Sequence, residues 1–234
     1  MVKRLFDVLT SFIAIILLSP VLLLAFLSVR IASPGPAIYR AQRIGRGGTP
    51  FVMHKFRTMH VRSASGSVIT SANDSRIFLV GGILRALKID ELPQLFDVLA
   101  GKMSIVGPRP EDPKIVELYY TPLARETLSV APGLSSPGSV HYYTSSESDV
   151  DDGDPERFYV TRLLPIKLAM DIVYIRRVSL WYDLTIMIKT AVTIALIGCG
   201  RRKFAEPPEF AEAQQLMNNT EAPLVRLSPQ QVLP

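Results

Sequence analysis

Residues 8–29 form 22 consecutive positions without a charged side chain. About 20 apolar residues suffice to cross a bilayer as a helix. Ser19-Pro20 stands in the middle of the run. Proline has no N–H and clashes with the carbonyl four residues back, here Ile16, so it kinks a helix. The Ser19 hydroxyl can satisfy part of the opened ladder, which lets such a kink persist in lipid. Three readings compete. A signal peptide has a shorter apolar core, about 7–15 residues, and a small-x-small cleavage site, and this stretch shows neither. A straight crossing has the length it needs. A re-entrant helix would enter the bilayer, break at Ser19-Pro20 and return. Positive residues prefer the cytoplasmic side, and here they flank both ends: Lys3 and Arg4 before, Arg30, Arg40, Arg43 and Arg46 after. Only re-entry keeps both sets there. The residues favour it, with a Pro-kinked span as the alternative.

Composition removes other classes. With 48% hydrophobic residues and a mean hydropathy of +0.24, the chain is too apolar for disorder. Cys199 is the single cysteine, so no disulfide framework exists and nothing points to an oxidising compartment. His54, His60 and His141 are the only histidines, too few with one cysteine for a structural zinc quartet. The 234 residues allow one or two domains with a sizeable core.

The net charge of +5 hides a segregation. Residues 8–73 hold no acid but carry Arg30, Arg40, Arg43, Arg46, Lys55, Arg57 and Arg62. Six acids crowd into one run: Glu147, Asp149, Asp151, Asp152, Asp154 and Glu156. Against the 15 other acids, the 26 basic residues give +11. A one-sided basic field suits phosphates, nucleic acid or anionic lipid, and its place beside an apolar run favours a membrane surface. The acidic run misses the EF-hand pattern, since Gly153 is out of register and the closing Glu is absent. It reads as a solvated loop.

The remainder reads as a small mixed domain. Ser33-Pro34-Gly35-Pro36 ends the first helix. Residues 37–43 and 50–56 predict two short strands around Gly45-Arg46-Gly47-Gly48. No Gly-Lys-Ser/Thr follows those glycines, so they are not a P-loop. Residues 60–75 read as loop and 76–87 as a weak helix. Residues 90–100 predict the clearest soluble helix: Leu92, Leu95, Phe96 and Leu99 share one face, Asp90 is the N-cap, Pro93 falls in the first turn and Gly101 stops it. Residues 113–120 read as helical, 132–137 as turn, and 157–176 as a helix broken at Pro165. In 179–199 the uninterrupted apolar part after Lys189 is too short to span. That segment is either interfacial, with Trp181 and Tyr182 at headgroup level, or a core helix. Arg201, Arg202 and Lys203 form a basic patch. Residues 204–234, with five prolines, read as a mobile tail.

The order of motifs is distinctive. Lys3-Arg4-Leu5-Phe6-Asp7 precedes the broken apolar run. Lys55-Phe56-Arg57-Thr58-Met59, Asp90-Glu91-Leu92-Pro93-Gln94-Leu95 and Ser104-Ile105-Val106-Gly107-Pro108-Arg109-Pro110 follow. Asp171, Tyr174 and Ser179-Leu180-Trp181-Tyr182-Asp183-Leu184 stand near the end. From about residue 3 to about residue 197 the set resembles the bacterial sugar transferase family, the monotopic phosphoglycosyl transferases, in their minimal form.

The resemblance implies an α+β, mostly helical fold. A re-entrant membrane helix would occupy 1–32. A small cytoplasmic α/β catalytic domain with interfacial amphipathic helices would occupy 33–200, and the basic patch and tail 201–234. It implies an enzyme on the cytoplasmic face of the bacterial inner membrane. The reaction would carry a sugar-1-phosphate from a nucleoside diphosphate sugar, usually a UDP-sugar, to undecaprenyl phosphate and release UMP. That step starts exopolysaccharide, capsule, O-antigen or glycoconjugate assembly. The partners are those substrates and membrane lipids, with no nucleic acid; a homodimer is compatible with it.

In the family the acid matching Asp90 is the nucleophile and forms a covalent phosphosugar. Read alone, Asp90 is a helix N-cap; the two roles agree, because a helix N-terminus faces phosphate well. Glu91 matches the residue that binds Mg²⁺, and a hard cation needs only one or two carboxylates beside phosphate oxygens; read alone, it is a first-turn acid. Arg85 matches a phosphate-holding arginine. Arg109 has a forked guanidinium suited to phosphate on a loop stiffened by prolines. Lys55 and Arg57 alternate on a strand and would share one face, aimed at a diphosphate or a headgroup; as isolated residues they are surface charges. Asp171 and Asp183 match supporting acids. Family members often continue Gly-Leu-Thr-Gly toward Ala-Gln-Val. Here Gly133-Leu134 runs into Ser135-Ser136-Pro137-Gly138-Ser139-Val140, a departure that bears on sugar or acceptor preference. Two other classes compete: a non-catalytic membrane scaffold of a polysaccharide assembly complex, and a tethered nucleic-acid binder, which lacks a binding motif.

Overall fold

The computed structural model describes residues 1–61, 74–145, 154–201, 204–219 and 223–227. Glu147, Asp149, Asp151 and Asp152 of the acidic run, and Arg62, Arg202 and Lys203, lie outside them.

Helix α1 covers Val2–Ala32, with Pro20 inside it. At 1.5 Å per residue it is roughly 46 Å long. The break expected at Ser19-Pro20 does not interrupt the helical backbone. Ser19 Oγ donates to Ile16 O at 2.8 Å, replacing the bond that Pro20 cannot make. One face of α1 is seated on the domain along its whole length. Ser104 Oγ donates to Asp7 at 2.8 and 3.0 Å, and Ile105 N at 3.0 Å. Lys3 Nζ reaches Asp183 at 2.6 Å. Further along, Ala14, Ile15 and Leu18, then Leu22, Ala25 and Val29, pack into apolar clusters. The other face, including Leu9, Phe12, Leu17, Leu24 and Leu27, is exposed.

Strands β1 (Ile38–Ile44) and β2 (Pro50–Phe56) pair antiparallel, with Tyr39 opposite Lys55 and Ala41 opposite Met53. The expected hairpin is present. Its tip needs positive φ at Gly47 (67°) and Gly48 (78°), which glycine adopts without a Cβ clash. Helix α2 (Leu79–Ala86) follows.

The helix expected over 90–100 is split. A 3-10 turn, Ile89–Glu91, precedes a six-residue helix α3, Gln94–Leu99. Lys88 is left-handed at φ 55° and reverses the chain, and Pro93 offers no N–H to carry the turn onward. Asp90 therefore lies inside the turn and makes no side-chain cap. The buried face of α3 is Gln94, Leu95 and Val98, while Phe96 is exposed. Gly101 ends α3 as expected, at φ 81°. Arg4 donates to the last carbonyls of α3, Val98 O at 2.5 Å and Leu99 O at 2.7 Å, so a cation from α1 caps its negative end.

Strand β3 (Ser104–Val106) pairs parallel with β4 (Gly133–Ser135), in a stretch expected to be turn. Gly107 and Gly133 touch backbone to backbone; a Cβ on Gly133 would sit 2.1 Å from Gly107 N. That contact sets where the Pro108-Arg109-Pro110 loop leaves β3. Helices α4 (Pro113–Tyr119), α5 (Pro137–Ser145) and α6 (Pro155–Phe158) lead to α7 (Leu164–Arg176). Pro165 sits in the first turn of α7 without breaking it; the irregularity is a π turn just before, Tyr159–Leu163. Leu164, Leu168, Ala169, Met170 and Ile172 of α7 are fully enclosed and form the main core.

Helix α8 (Leu180–Gly198) is capped by Ser179, which accepts from Tyr182 N. Counted over its whole length, it is, like α1, long and apolar enough to cross a membrane, a difference from the shorter run measured after Lys189. Trp181, Ile188 and Val192 are exposed on it, and Asp183 and Ile186 are buried. The region expected to be a mobile tail instead supplies helix α9 (Pro208–Asn219). Ala213 is fully buried in the α7 core, with Leu224 and Val225, and Arg226 N bonds Tyr119 O at 2.8 Å. Proline content misled here because Pro207 and Pro208 stand at the start of the helix and Pro223 after it, none in its interior.

Candidate active site

The turn at Ile89–Glu91 places two adjacent carboxylates, both buried, between α2 and α3. Three elements bring cations to them. From β2, Lys55 Nζ lies 3.0 Å from Glu91 Oε1. From the loop after β3, Arg109 forks onto Glu91, with Nη1 2.9 Å from Oε2 and Nη2 on Oε1. From the left-handed position before the turn, the Lys88 ammonium faces the same group. Its Nζ stands 3.9 Å from the ring centroid of Tyr143 on α5. Tyr143 Oη accepts from Arg109 Nη1 at 2.9 Å and is 3.5 Å from Glu91 Oε2.

The two carboxylates are pushed apart electrostatically. Burial raises Asp90, and the neighbouring Glu91 charge adds to it, so that its pKa reaches about 6 despite Lys55, Arg85 and Lys88. Burial also opposes the Glu91 charge, but Arg109 and Lys55 outweigh it and hold Glu91 well below the usual carboxylate range. Burial lowers Lys55 against the pull of Glu91. Glu91 is thus a fixed anion inside a cationic shell. Asp90 has no such partner: its Oδ1 is buried and makes no hydrogen bond among the described residues. An unpaired buried acceptor costs free energy, so the fold retains one polar atom free at the centre of the cluster.

Supporting contacts hold these groups in place. Asp97 on α3 accepts from His54 N at 2.9 Å and lies 2.8 Å from His54 Nδ1, which locks β2 beside α3 and so aims Lys55. Asp171 on α7 is buried beside Ser136 and the backbone of Arg109 and Gly138; its Oδ1 makes no hydrogen bond among the described residues, and burial raises its pKa to about 6. Tyr174 Oη bonds Val106 O at 3.2 Å and Asp183 at 2.6 Å. Asp183 also holds Lys3, so one buried acid joins α1, β3 and α7.

The candidate residues divide accordingly. Lys55, Asp90, Glu91 and Arg109 are gathered in one cluster. Arg85, half-buried at the end of α2, acts on Asp90 through its charge. Arg57 is not in the cluster. β2 ends at Phe56, and the strand alternation ends with it. The Arg57 guanidinium turns to the corner after α1, bonding Ser33 Oγ, Ser33 O and Pro36 O, each at 2.7 Å. It closes the Ser33–Pro36 turn. Ser19 and Pro20 lie on the exposed face of α1. Tyr143 carried no signal in the sequence: it stands 52 residues from Glu91 and in none of the motifs. Lys88 stands two residues before Asp90 and in none of the motifs.

A pattern for the bacterial sugar transferases matches residues 1–196, which includes every residue of this cluster. The chain belongs to the bacterial sugar transferase family. Among relatives, a UDP-N-acetylgalactosamine-undecaprenyl-phosphate N-acetylgalactosaminephosphotransferase of Aeromonas hydrophila is 39% identical over 205 residues, 86% of this chain and 45% of that protein. A UDP-glucose:undecaprenyl-phosphate glucose-1-phosphate transferase of Caulobacter vibrioides is 38% identical over 195 residues, 82% of this chain and 69% of that protein. The exopolysaccharide production protein ExoY of Rhizobium meliloti is 34% identical over 212 residues, 84% and 86%. The chain thus spans under half the Aeromonas relative and most of the Rhizobium one. Helix α9 lies past the region that matches the sugar transferase pattern.

Proposed function

We propose that the chain transfers a sugar-1-phosphate from a UDP-sugar to undecaprenyl phosphate, with Asp90 as nucleophile. The observation that carries this reading is the free Oδ1 of Asp90, buried among Lys55, Arg85, Lys88 and the Arg109–Glu91 pair. Asp90 attacks the sugar-bearing phosphorus, and the bond to the bridging oxygen of the diphosphate breaks. UMP leaves with the electron pair, and an aspartyl phosphosugar remains. An oxygen of undecaprenyl phosphate then attacks the same phosphorus and releases the Asp90 carboxylate. Arg109, Lys88 and Arg85 bind phosphate oxygens, where charge-assisted bonds to a planar fork give both affinity and orientation.

We propose Mg²⁺ as the ion this site takes, with a Glu91 contact to Arg109 or Lys55 giving way to it. Glu91 would hold it beside the free oxygen of Asp90, with substrate oxygens and waters completing the shell; when bound, the ion neutralises diphosphate charge. The test is UMP release from a panel of UDP-sugars, with undecaprenyl phosphate as acceptor.

Asp90 is a nucleophile only when ionised. With its pKa near 6, kcat/KM for the donor is expected to rise with pH and level off above about 7. Below the midpoint it falls about tenfold per pH unit. A flat profile between pH 5 and 8 would overturn the raised Asp90 pKa.

The membrane reading is monotopic, on the cytoplasmic face of the inner membrane. Both ends of α1 rest on one domain: Lys3 on Asp183 and Val29 in the cluster with Phe56 and Phe78. That supports a helix whose two ends lie on one side of the bilayer and whose apolar face enters lipid. Cysteines introduced at Val2 and at Arg40 are then expected to react with a membrane-impermeant maleimide only from the cytoplasmic side. Labelling of the Val2 site from outside would establish a crossing instead.

A further inference from the structure

Tyr143 touches two cations of the cluster with two different parts of one side chain. Its hydroxyl accepts from Arg109 Nη1 at 2.9 Å, and its ring face receives Lys88 Nζ at 3.9 Å from the centroid. Tyrosine combines a rigid apolar body with a polar tip, and its ring attracts a cation without forming an ion pair. The ring holds the Lys88 ammonium in place without neutralising it. Arg109 faces a competing demand. Glu91 engages both ends of its fork, whereas a phosphate needs at least one of those N–H groups. The neutral Tyr143 oxygen gives Nη1 a second partner, so the guanidinium can turn toward a phosphate without losing its place.

Tyr143 lies on α5, just after the stretch 135–140 where the sequence leaves the usual family pattern. α5 is braced from outside the family region. His141 packs on Phe210 of α9 with ring centroids 4.9 Å apart, and Gly138 lies against the α7 backbone at Lys167 and against the Asp171 carboxylate. Asp171 also lies close to the Arg109 backbone, so α5 and the Arg109 loop meet beside one buried acid.

We propose that Tyr143 is a positioning residue for the diphosphate of the donor, acting through Arg109 by its hydroxyl and through Lys88 by its ring. This rests on the transfer reading above, and it assigns the recognition of a nucleoside diphosphate partly to α5. The test is a double-mutant cycle on the full chain in detergent micelles, read in UDP binding by calorimetry, with UMP release measured in the variants that keep Arg109. Tyr143→Phe removes one oxygen and keeps the ring. It is expected to raise KM for the UDP-sugar and the dissociation constant of UDP by roughly tenfold, with kcat changed less than about twofold, the size of one hydrogen bond to a charged group. Tyr143→Leu, which also loses the ring, should cost roughly a further tenfold. In an Arg109→Gln background Tyr143→Phe should cost less than about twofold, because the hydroxyl has no guanidinium to hold. A purely structural tyrosine would lower the melting temperature and leave the two substitutions independent. Independent effects on UDP binding overturn the assignment of Tyr143 and leave the transfer reading standing. Coupled effects on UDP binding in a protein that releases UMP from no UDP-sugar uphold Tyr143 and overturn the transfer reading. A wild-type protein that does not bind UDP overturns both.

Discussion

Asp90→Asn is expected to abolish turnover while making the protein more stable. Loss of a nucleophile typically costs on the order of 10⁴-fold or more in rate, and Asn cannot form the phosphosugar bond. The stability effect has the opposite sign. Burial raises the Asp90 pKa from an ordinary 3.8 to about 6, so the folded chain binds this proton more tightly than the unfolded chain. Below pH 3.8 the group is neutral in both states and costs nothing. As pH rises from there through 6, stability is lost, and above 6 the full cost of the buried charge is present. Each pKa unit corresponds to about 1.4 kcal/mol, so at pH 8 the neutral amide should recover on the order of 1–3 kcal/mol. UMP release and thermal melting at pH 5 and pH 8 check both halves. An active Asp90→Asn enzyme would eliminate the covalent route; an inactive one that is also destabilised would make Asp90 a structural acid.

Arg109→Ala should damage folding and function together. It removes the two-pronged partner of a buried carboxylate, and removing one partner of a buried pair typically costs about 3–5 kcal/mol. The Arg109→Ala/Glu91→Gln double variant should regain much of that stability, since no uncompensated carboxylate is left. It should stay inactive, because the phosphate-binding fork is gone. Glu91 is held below its ordinary pKa, so its stabilising contribution is present at neutral pH and lost only as pH falls through that depressed value. In Arg109→Ala the loss should begin at milder acid. Melting curves between pH 3 and 7 separate these cases. Equal melting temperatures for the single and double variants would show that Glu91 does not depend on Arg109.

Parts of this arrangement were legible because their causes are local. The hairpin followed from alternating strands around glycines, two of which adopt positive φ. The end of α3 followed from Gly101. Other readings failed where a distant group intervened. Residues 90–100 carry a helical pattern, yet the reversal at Lys88 and the proline at 93 separate the acids from α3. Lys55 and Arg57 look equivalent two residues apart. Only the end of β2 at Phe56 sends one to Glu91 and the other to Ser33. The prolines around 204–234 suggested a tail, and nothing in them announces that Ala213 fits between side chains of α7.

By itself the sequence determined the apolar segment, the segregation of charge, the strand pair and the motif order that marks the family. Each depends on residues that are neighbours along the chain, or on a pattern that survives being read one residue at a time. The tertiary structure alone decided which charges meet. Glu91 is joined to Lys55 across 36 residues, to Arg109 across 18 and to Tyr143 across 52. No local preference encodes those meetings. They arise because β2, the loop after β3 and α5 are packed around one turn, where burial converts ordinary surface ions into a fixed anion, its cations and one carboxylate oxygen left free.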